Sequence, residues 1–282
     1  MGSRISIVTP SYNQGRYLEE TIRSIVDQRE EVHEFFVYDG GSTDNSVDII
    51  RKYESQIDYW VSEKDKGQAD VLKRGFARAT GDILYWLNSD DVLLPGVLRK
   101  VRKAFDLHPE WAALTGWQFF IDGDSRIVRF FRMPPEQESW LRWGILHVSQ
   151  QTCFFKKSVY DSVGGVNPDL HFVMDSDLWV RMLQTGAPWG GIPAYMAGFR
   201  QHEEAKGHPG GKWAQRYREE ELELMKRSPQ YFNPVKLKIG TWGHRLKQVL
   251  SGRYMAAVLD TRRSAGKQWN EVIPATHGQS QP

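Results

Sequence analysis

A chain of 282 residues is long enough for one large domain or two small ones, each with a real core. Hydrophobic residues at 40% and charged residues at 26% exclude wholesale disorder and collagen-like fibres. Lys and Arg total 37 against 35 Asp and Glu, a near balance that argues against nucleic acid as the partner.

Residues 5–9 read as a strand that Pro10 stops, followed by a polar run over 11–15. Leu18, Ile22, Ile25 and Val26 lie at helical spacing in 16–28. A second strand over 35–38 ends in Asp39-Gly40-Gly41, and Ser42 is expected to cap the helix that carries Val47, Ile50 and Tyr53. Residues 59–61 give a third strand, 68–79 a helix stopped by Gly81, and 83–87 a strongly apolar strand running into Asn88-Ser89-Asp90-Asp91. Pro95 opens a helix through 105. Strands alternating with helices predict an α/β fold with a mostly parallel, Rossmann-like central sheet. In such sheets ligands bind beyond the carboxyl ends of the strands, and here each of those ends is polar or glycine-rich.

The second half is less regular and predicts a small mixed region: a hairpin over 119–131, a loop with a short helix over 134–144, and a strand over 151–155. A short helix over 158–163, a helix over 177–183, a strand over 194–199 and a charged helix over 213–227 complete it. The expected division is 1–230 as the main domain, split into 1–106 and 107–230, followed by a basic amphipathic segment over 231–282. Cys153 cannot form an internal disulfide and reads as a small buried residue. Nothing approaches a run of about 18 apolar residues, and the opening residues lack a signal peptide's apolar stretch. The expectation is a cytoplasmic protein, peripheral on the inner face of the cell membrane if the basic tail engages lipid.

Asp90-Asp91 at a strand end suits Mg²⁺ or Mn²⁺ with phosphate oxygens, or else a turn that caps the next helix. Neither GxGxxG nor GxxxxGK[ST] is present, which disfavours a hydride-transfer site or a P-loop. Trp140 and Trp143 offer indole faces for sugar rings, with His147 and Gln150 positioned to bond hydroxyls. Residues 231–282 carry eight basic against two acidic side chains, a net +6, beside apolar residues such as Trp242 and Leu246. That composition suits an anionic membrane surface, or a subdomain that packs its apolar residues on the core.

The ordered set Ile5 to Asn13, Asp39-Gly40-Gly41-Ser42-Thr43-Asp44, Ser62 to Asp70, Gly81-Asp82-Ile83, Asn88-Ser89-Asp90-Asp91 and Met174 to Arg181 resembles the family 2 glycosyltransferases. These are inverting enzymes with a GT-A fold. The resemblance, over about residues 4–220, implies sugar transfer from a nucleotide-sugar, a UDP-sugar in particular, to a glycan or lipid-linked glycan in surface polysaccharide or lipopolysaccharide assembly.

It assigns Thr9, Pro10, Ser11, Tyr12 and Asn13 to the base and ribose pocket and Asp39 to uracil N3. Asp90 falls on the residue at the ribose or sugar, and Asp91 on the Mn²⁺ or Mg²⁺ ligand. Asp175 falls on the general base, with Asp177 as rival or cap. Arg200 falls near the diphosphate and His202 near the metal, with Lys206 in a closing loop. Many relatives carry an arginine where this chain has Leu72, which leaves Asp65, Gln68 and Lys73 as substitutes. Two other readings stay open: a metal-dependent nucleotidyltransferase, and a non-catalytic carbohydrate- or membrane-binding protein.

Overall fold

The structure is a computed structural model that describes residues 2–133, 140, 141, 143, 145, 146, 148–203, 205, 213–229, 232 and 234–273. His147, Lys206 and much of the 134–144 loop lie outside the described residues.

The first half follows the alternation. Strands β1 (Ile5–Ser11), β2 (Glu34–Asp39), β3 (Tyr59–Ser62) and β4 (Ile83–Trp86) pair in parallel in the order β3-β2-β1-β4. Helices α1 (Leu18–Val26), α2 (Ser46–Lys52) and α3 (Gln68–Arg78) are the crossovers. Every β1 residue is buried, and neighbouring ones serve opposite faces. Ile7 joins Leu18 and Ile22 in one core, whereas Val8 joins Leu72 and Phe76 in another. Fully burying each such side chain contributes about 1.5–3 kcal/mol. Gly75 lets α3 lie tightly on β1: a Cβ there would stand 2.9 Å from both Val8 methyls.

The mostly parallel sheet fails beyond α4 (Val97–Leu107). Strands β6 (Ala113–Ile121) and β7 (Ile127–Phe131) are joined by a short turn with no crossover, so they run antiparallel. Short β8 (Phe154–Lys156) is antiparallel to both β4 and β6, and β5 (Val92–Leu93) is antiparallel to β9 (Trp189–Arg200). Only β6 and β9 are parallel in this half. One mixed sheet results, in the order β3-β2-β1-β4-β8-β6-β9-β5, with β7 on β6. The strand expected over 194–199 is the end of a 12-residue strand.

Helices α5 (Lys157–Ser162), α6 (Met174–Gln184), α7 (Ala214–Arg227), α8 (Pro234–Leu250), α9 (Arg253–Ser264) and α10 (Trp269–Val272) complete the described elements. Helix α6 starts three residues earlier than expected, which puts Asp175 in its first turn. Ser42 does not cap α2, which begins at Ser46; its hydroxyl serves the loop instead. The C-terminal helices fasten to the sheet by Thr261 Oγ1 on the Phe130 N–H and by the Arg132–Asp260 pair at 2.7 Å. Buried Trp269 adds its ring to the first core.

Candidate active site

Two loops at the carboxyl ends of β1 and β2 hold each other. Asn13 adopts a left-handed backbone with φ 51°, which an asparagine tolerates better than most residues. Its N–H donates to Ser42 Oγ at 2.7 Å, and its Oδ1 accepts the Thr43 N–H at 2.8 Å. Asp44 accepts the Gly15 N–H, and Ser46 Oγ accepts that of Gln14. Asn13 is thus a brace between the loops.

Asp39 is 2% exposed, and its Oδ2 accepts the Gly41 and Ser42 N–H groups and the Ser62 hydroxyl. Among the described residues its Oδ1 accepts only the Ser42 hydroxyl, which leaves one lone pair. Tyr12 is 60% exposed beside Gly40, where an added Cβ would stand 3.3 Å from Tyr12 Cδ2 and 2.8 Å from Asp65 Oδ2. A glycine at 40 therefore lets Tyr12 and Asp65 converge next to Asp39. Pro10 pairs with Tyr38 inside β1, one residue beyond where the strand was expected to stop. The buried hydroxyls of Thr9 and Ser11 have no hydrogen-bond partner among the described residues. Gln68 Nε2 donates to Asn88 Oδ1 at 2.7 Å, which links α3 to the end of β4, and Lys73 is exposed further along α3.

The adjacent acids Asp90 and Asp91 part company. Asp91 is fully buried: Oδ1 accepts the Arg200 N–H at 2.9 Å and Oδ2 accepts Gln151 Nε2 at 3.0 Å. Burial, reinforced by neighbouring Asp90, pushes its pKa well above the usual carboxylate range. Asp90 instead reaches His202, Oδ2 to Nε2 at 3.0 Å, and the imidazole rests 4.9 Å from the Tyr17 ring.

A carboxylate oxygen and an imidazole nitrogen suit Mn²⁺ with added phosphate oxygens, so the residues present fit a divalent cation at Asp90 and His202 and not at Asp91. Among the described residues no cluster of three or more His, Cys, Asp or Glu side chains is arranged to hold a metal. Arg200 is 1% exposed, with four guanidinium hydrogen bonds. Nε donates to the Asp90 carbonyl, Nη1 to the Asp122 carbonyl and Ser125 Oγ, and Nη2 to Glu20 Oε2 at 2.5 Å. It braces the acidic loop through the Asp90 carbonyl. Glu20 also accepts Ser125 Oγ and Trp269 Nε1, so one α1 carboxylate gathers three remote segments.

Asp175 is half-buried, and its Oδ1 accepts the Ser176 N–H at 2.7 Å. Loss of water around the carboxyl raises its pKa despite that bond. The Asp175 charge acts on two neighbours: burial first and that charge second push the Cys153 thiol well up and Tyr217 to about 12. Glu220 of α7 was not singled out from the sequence. Its carboxylate accepts the N–H groups of His171, Phe172 and Val173, the three residues before α6, at 2.8–3.2 Å. Phe172 packs on Trp213 and Tyr217 of the same region. No sequence motif marks a contact between residues so far apart.

Other expected residues have different tasks. Asp177 is paired with Arg181 at 2.6 Å, one turn on in α6. Gln150 is buried, its Nε2 on the Trp86 carbonyl at 2.6 Å and its Oε1 accepting from Asn88, so it forms the floor of the acidic loop and cannot meet an acceptor. Trp140 packs edge-on against His244 of α8, and Trp143 is 43% exposed where Gly240 permits α8 to approach.

Residues 6–164, more than half of the chain, match the family described as Glycosyl transferase family 2. An uncharacterized glycosyltransferase of Nostoc sp. is 27% identical over 58% of this chain and 54% of its own. The putative teichuronic acid biosynthesis glycosyltransferase TuaG of Bacillus subtilis is 27% identical over 70% of this chain and 78% of its own. Among solved structures, S. aureus TarS 1–349 in complex with UDP-GlcNAc superposes with a TM-score of 0.58 at 17% identity, over 72% of this chain and 60% of that one. The mannosyltransferase PcManGT from Pyrobaculum calidifontis, in complex with GDP-Man and Mn²⁺, gives 0.61 at 18% identity, over 93% and 80%. The chain thus spans little more than half the length of the Nostoc relative and about three fifths of the TarS chain. The structural likenesses give the fold, an α/β GT-A type with a mixed sheet.

Proposed function

The chain belongs to glycosyl transferase family 2, and we propose on that premise that it transfers one sugar from a UDP-sugar to a hydroxyl of a surface glycan, with inversion at the anomeric carbon. The observation that carries the reading is Asp39, buried at the end of β2 with one acceptor lone pair left beside Tyr12 and Asp65. Uracil presents a single imide N–H, which one lone pair matches. Guanine would present two parallel donors and needs a carboxylate with both oxygens open. The exposed Tyr12 ring offers a face for the base. The complex of TarS with UDP-GlcNAc, and the description of TuaG as a putative teichuronic acid biosynthesis glycosyltransferase, support this donor and acceptor class.

A divalent cation at Asp90 and His202 would supply charge neutralisation for the departing diphosphate. Asp175 takes the chemical role. The acceptor oxygen bonds to the anomeric carbon while the bond from that carbon to the diphosphate oxygen breaks. The hydroxyl proton passes to the Asp175 carboxylate, and the nucleoside diphosphate leaves. A raised pKa makes Asp175 a stronger base than an exposed aspartate, and Glu220 fixes the turn that carries it.

Product analysis with a panel of nucleotide-sugars tests the reading. Release of a nucleoside diphosphate and an inverted anomer are expected. Release of pyrophosphate would assign nucleotidyl transfer, and donor binding with no turnover under any acceptor or metal would assign a binding protein.

A further inference from the structure

Helix α8 faces the wrong way for a packed helix. At about 100° per residue, Ile239, Trp242, Leu246, Val249 and Leu250 fall within one arc. The contacts with the rest of the protein fall on the opposite arc, where Gly240 meets Trp143, His244 meets Trp140 and Gln248 donates to the Arg132 carbonyl. The small and polar residues are therefore turned inward and the large apolar ones outward, with Trp242 76% and Leu250 77% exposed. Met255 and Leu259 of α9 are exposed as well. Contiguous apolar surface of this kind marks an interaction site on most proteins.

The flanks identify the partner. Lys238 and Arg245 border the apolar arc on one side, Lys236 and Lys247 on the other, and α8 contains no acidic residue. A second copy related by a two-fold axis would set Lys238 and Arg245 of one α8 close to the basic side chains of the other, with no acidic residue on either helix to offset them. An anionic bilayer surface satisfies both features at once: apolar side chains enter the acyl boundary while the basic side chains on either side meet phosphate headgroups. No helix among the described residues is long and apolar enough to cross a membrane, and 17 residues with this charge lie flat instead.

We infer that α8 is an interfacial helix that seats the enzyme on an anionic lipid surface through the arc from Ile239 to Leu250.

The test uses the full chain, because Trp269 beyond α8 sits in the core and bonds Glu20, and truncation would disturb both. Sedimentation with vesicles of phosphatidylglycerol and phosphatidylcholine should pull the protein down, and pure phosphatidylcholine vesicles should do so far less. Trp242→Ser with Leu246→Ser should weaken partitioning by at least about tenfold. Lys238→Glu with Arg245→Glu should weaken it most at low salt, where screening is least. Both pairs are exposed and should keep the parent melting temperature; should the apolar pair misfold, the charge pair decides alone. Equal partitioning by the parent and the charge pair would overturn the inference. So would a parent that stays in solution with anionic vesicles. A concentration-dependent dimer, abolished by Trp242→Ser with no vesicle binding, would assign the face to a second copy.

Discussion

The regions around Asp39 and around Asp175 are restrained in different ways. Around Asp39 the loops after β1 and β2 are cross-linked by Asn13, Ser42, Asp44 and Ser46, short polar side chains on the backbone of the facing loop. Around Asp175 one distant carboxylate, Glu220, gathers three N–H groups, backed by aromatic packing from α7. The Asp39 side is held by contacts between the two loops themselves, whereas the turn before α6 depends on the docking of one helix. A rigid nucleotide pocket costs little ordering on binding.

The largest test of that contrast is Asp175→Asn, which keeps shape and removes proton acceptance. Transfer should fall roughly 10²–10⁴-fold with donor affinity unchanged, read by initial rates and calorimetry. In the parent, activity should be lost on acidification at a pH above the ordinary aspartate range of about 3.9. The folded chain holds this proton more tightly than the unfolded chain does, so its contribution is full at low pH and fades as pH rises through the folded pKa. Asp175→Asn should therefore melt higher than the parent, with a gap that opens from acid to neutral pH. A gap that closes instead would remove the desolvated carboxyl.

Next in size, Asp90→Asn should cut metal-stimulated turnover by roughly 10²-fold and weaken Mn²⁺ binding by the free protein. Asp91→Asn should spare Mn²⁺ binding and lower stability. The reverse pattern, by metal titration and thermal unfolding, would return the cation to Asp91. At the cross-linked loops, Asp39→Ala should weaken nucleoside diphosphate binding by about 1–3 kcal/mol with catalysis of bound donor preserved. Unchanged calorimetric affinity would take Asp39 out of the pocket.

The smallest expected effect sharpens the contrast most. Glu220→Gln keeps one carbonyl acceptor but loses the charge on three N–H groups, so kcat should fall roughly tenfold or less. Donor KM should hold, and amide exchange at 171–173 should quicken. A change in donor KM alone would couple α7 to the Asp39 side instead.

Sequence made the Asp39 side readable because strand and helix alternate there with local signals, and carboxylates at strand ends announce themselves. The phase of Asp90 and Asp91 was not readable: neighbouring residues point to opposite sides, and only His202 and Arg200, arriving from β9, decide which acid faces which. The resemblance put Arg200 near the diphosphate, and its pairing with Glu20, 180 residues away, left no mark in the sequence. The antiparallel strands were misjudged for a related reason. Strand β8 is three residues long and takes its direction from β4 and β6, not from any pattern of its own.

Glu20 also sets a timetable. Its carboxylate emerges on the nascent chain with α1, yet Arg200 follows 180 residues later and Trp269 follows 249 residues later. At ~5–20 residues per second, synthesis makes that carboxylate wait roughly 12–50 s for its last partner. The β1–β4 half can assemble in that interval with Glu20 facing water, but the junction that closes β9 and α10 onto it cannot. Birth order thus leaves the nucleotide half first and the braced acidic loop last. A ribosome paused between residues 200 and 269 would hold a protein with its pocket built and its clasp open.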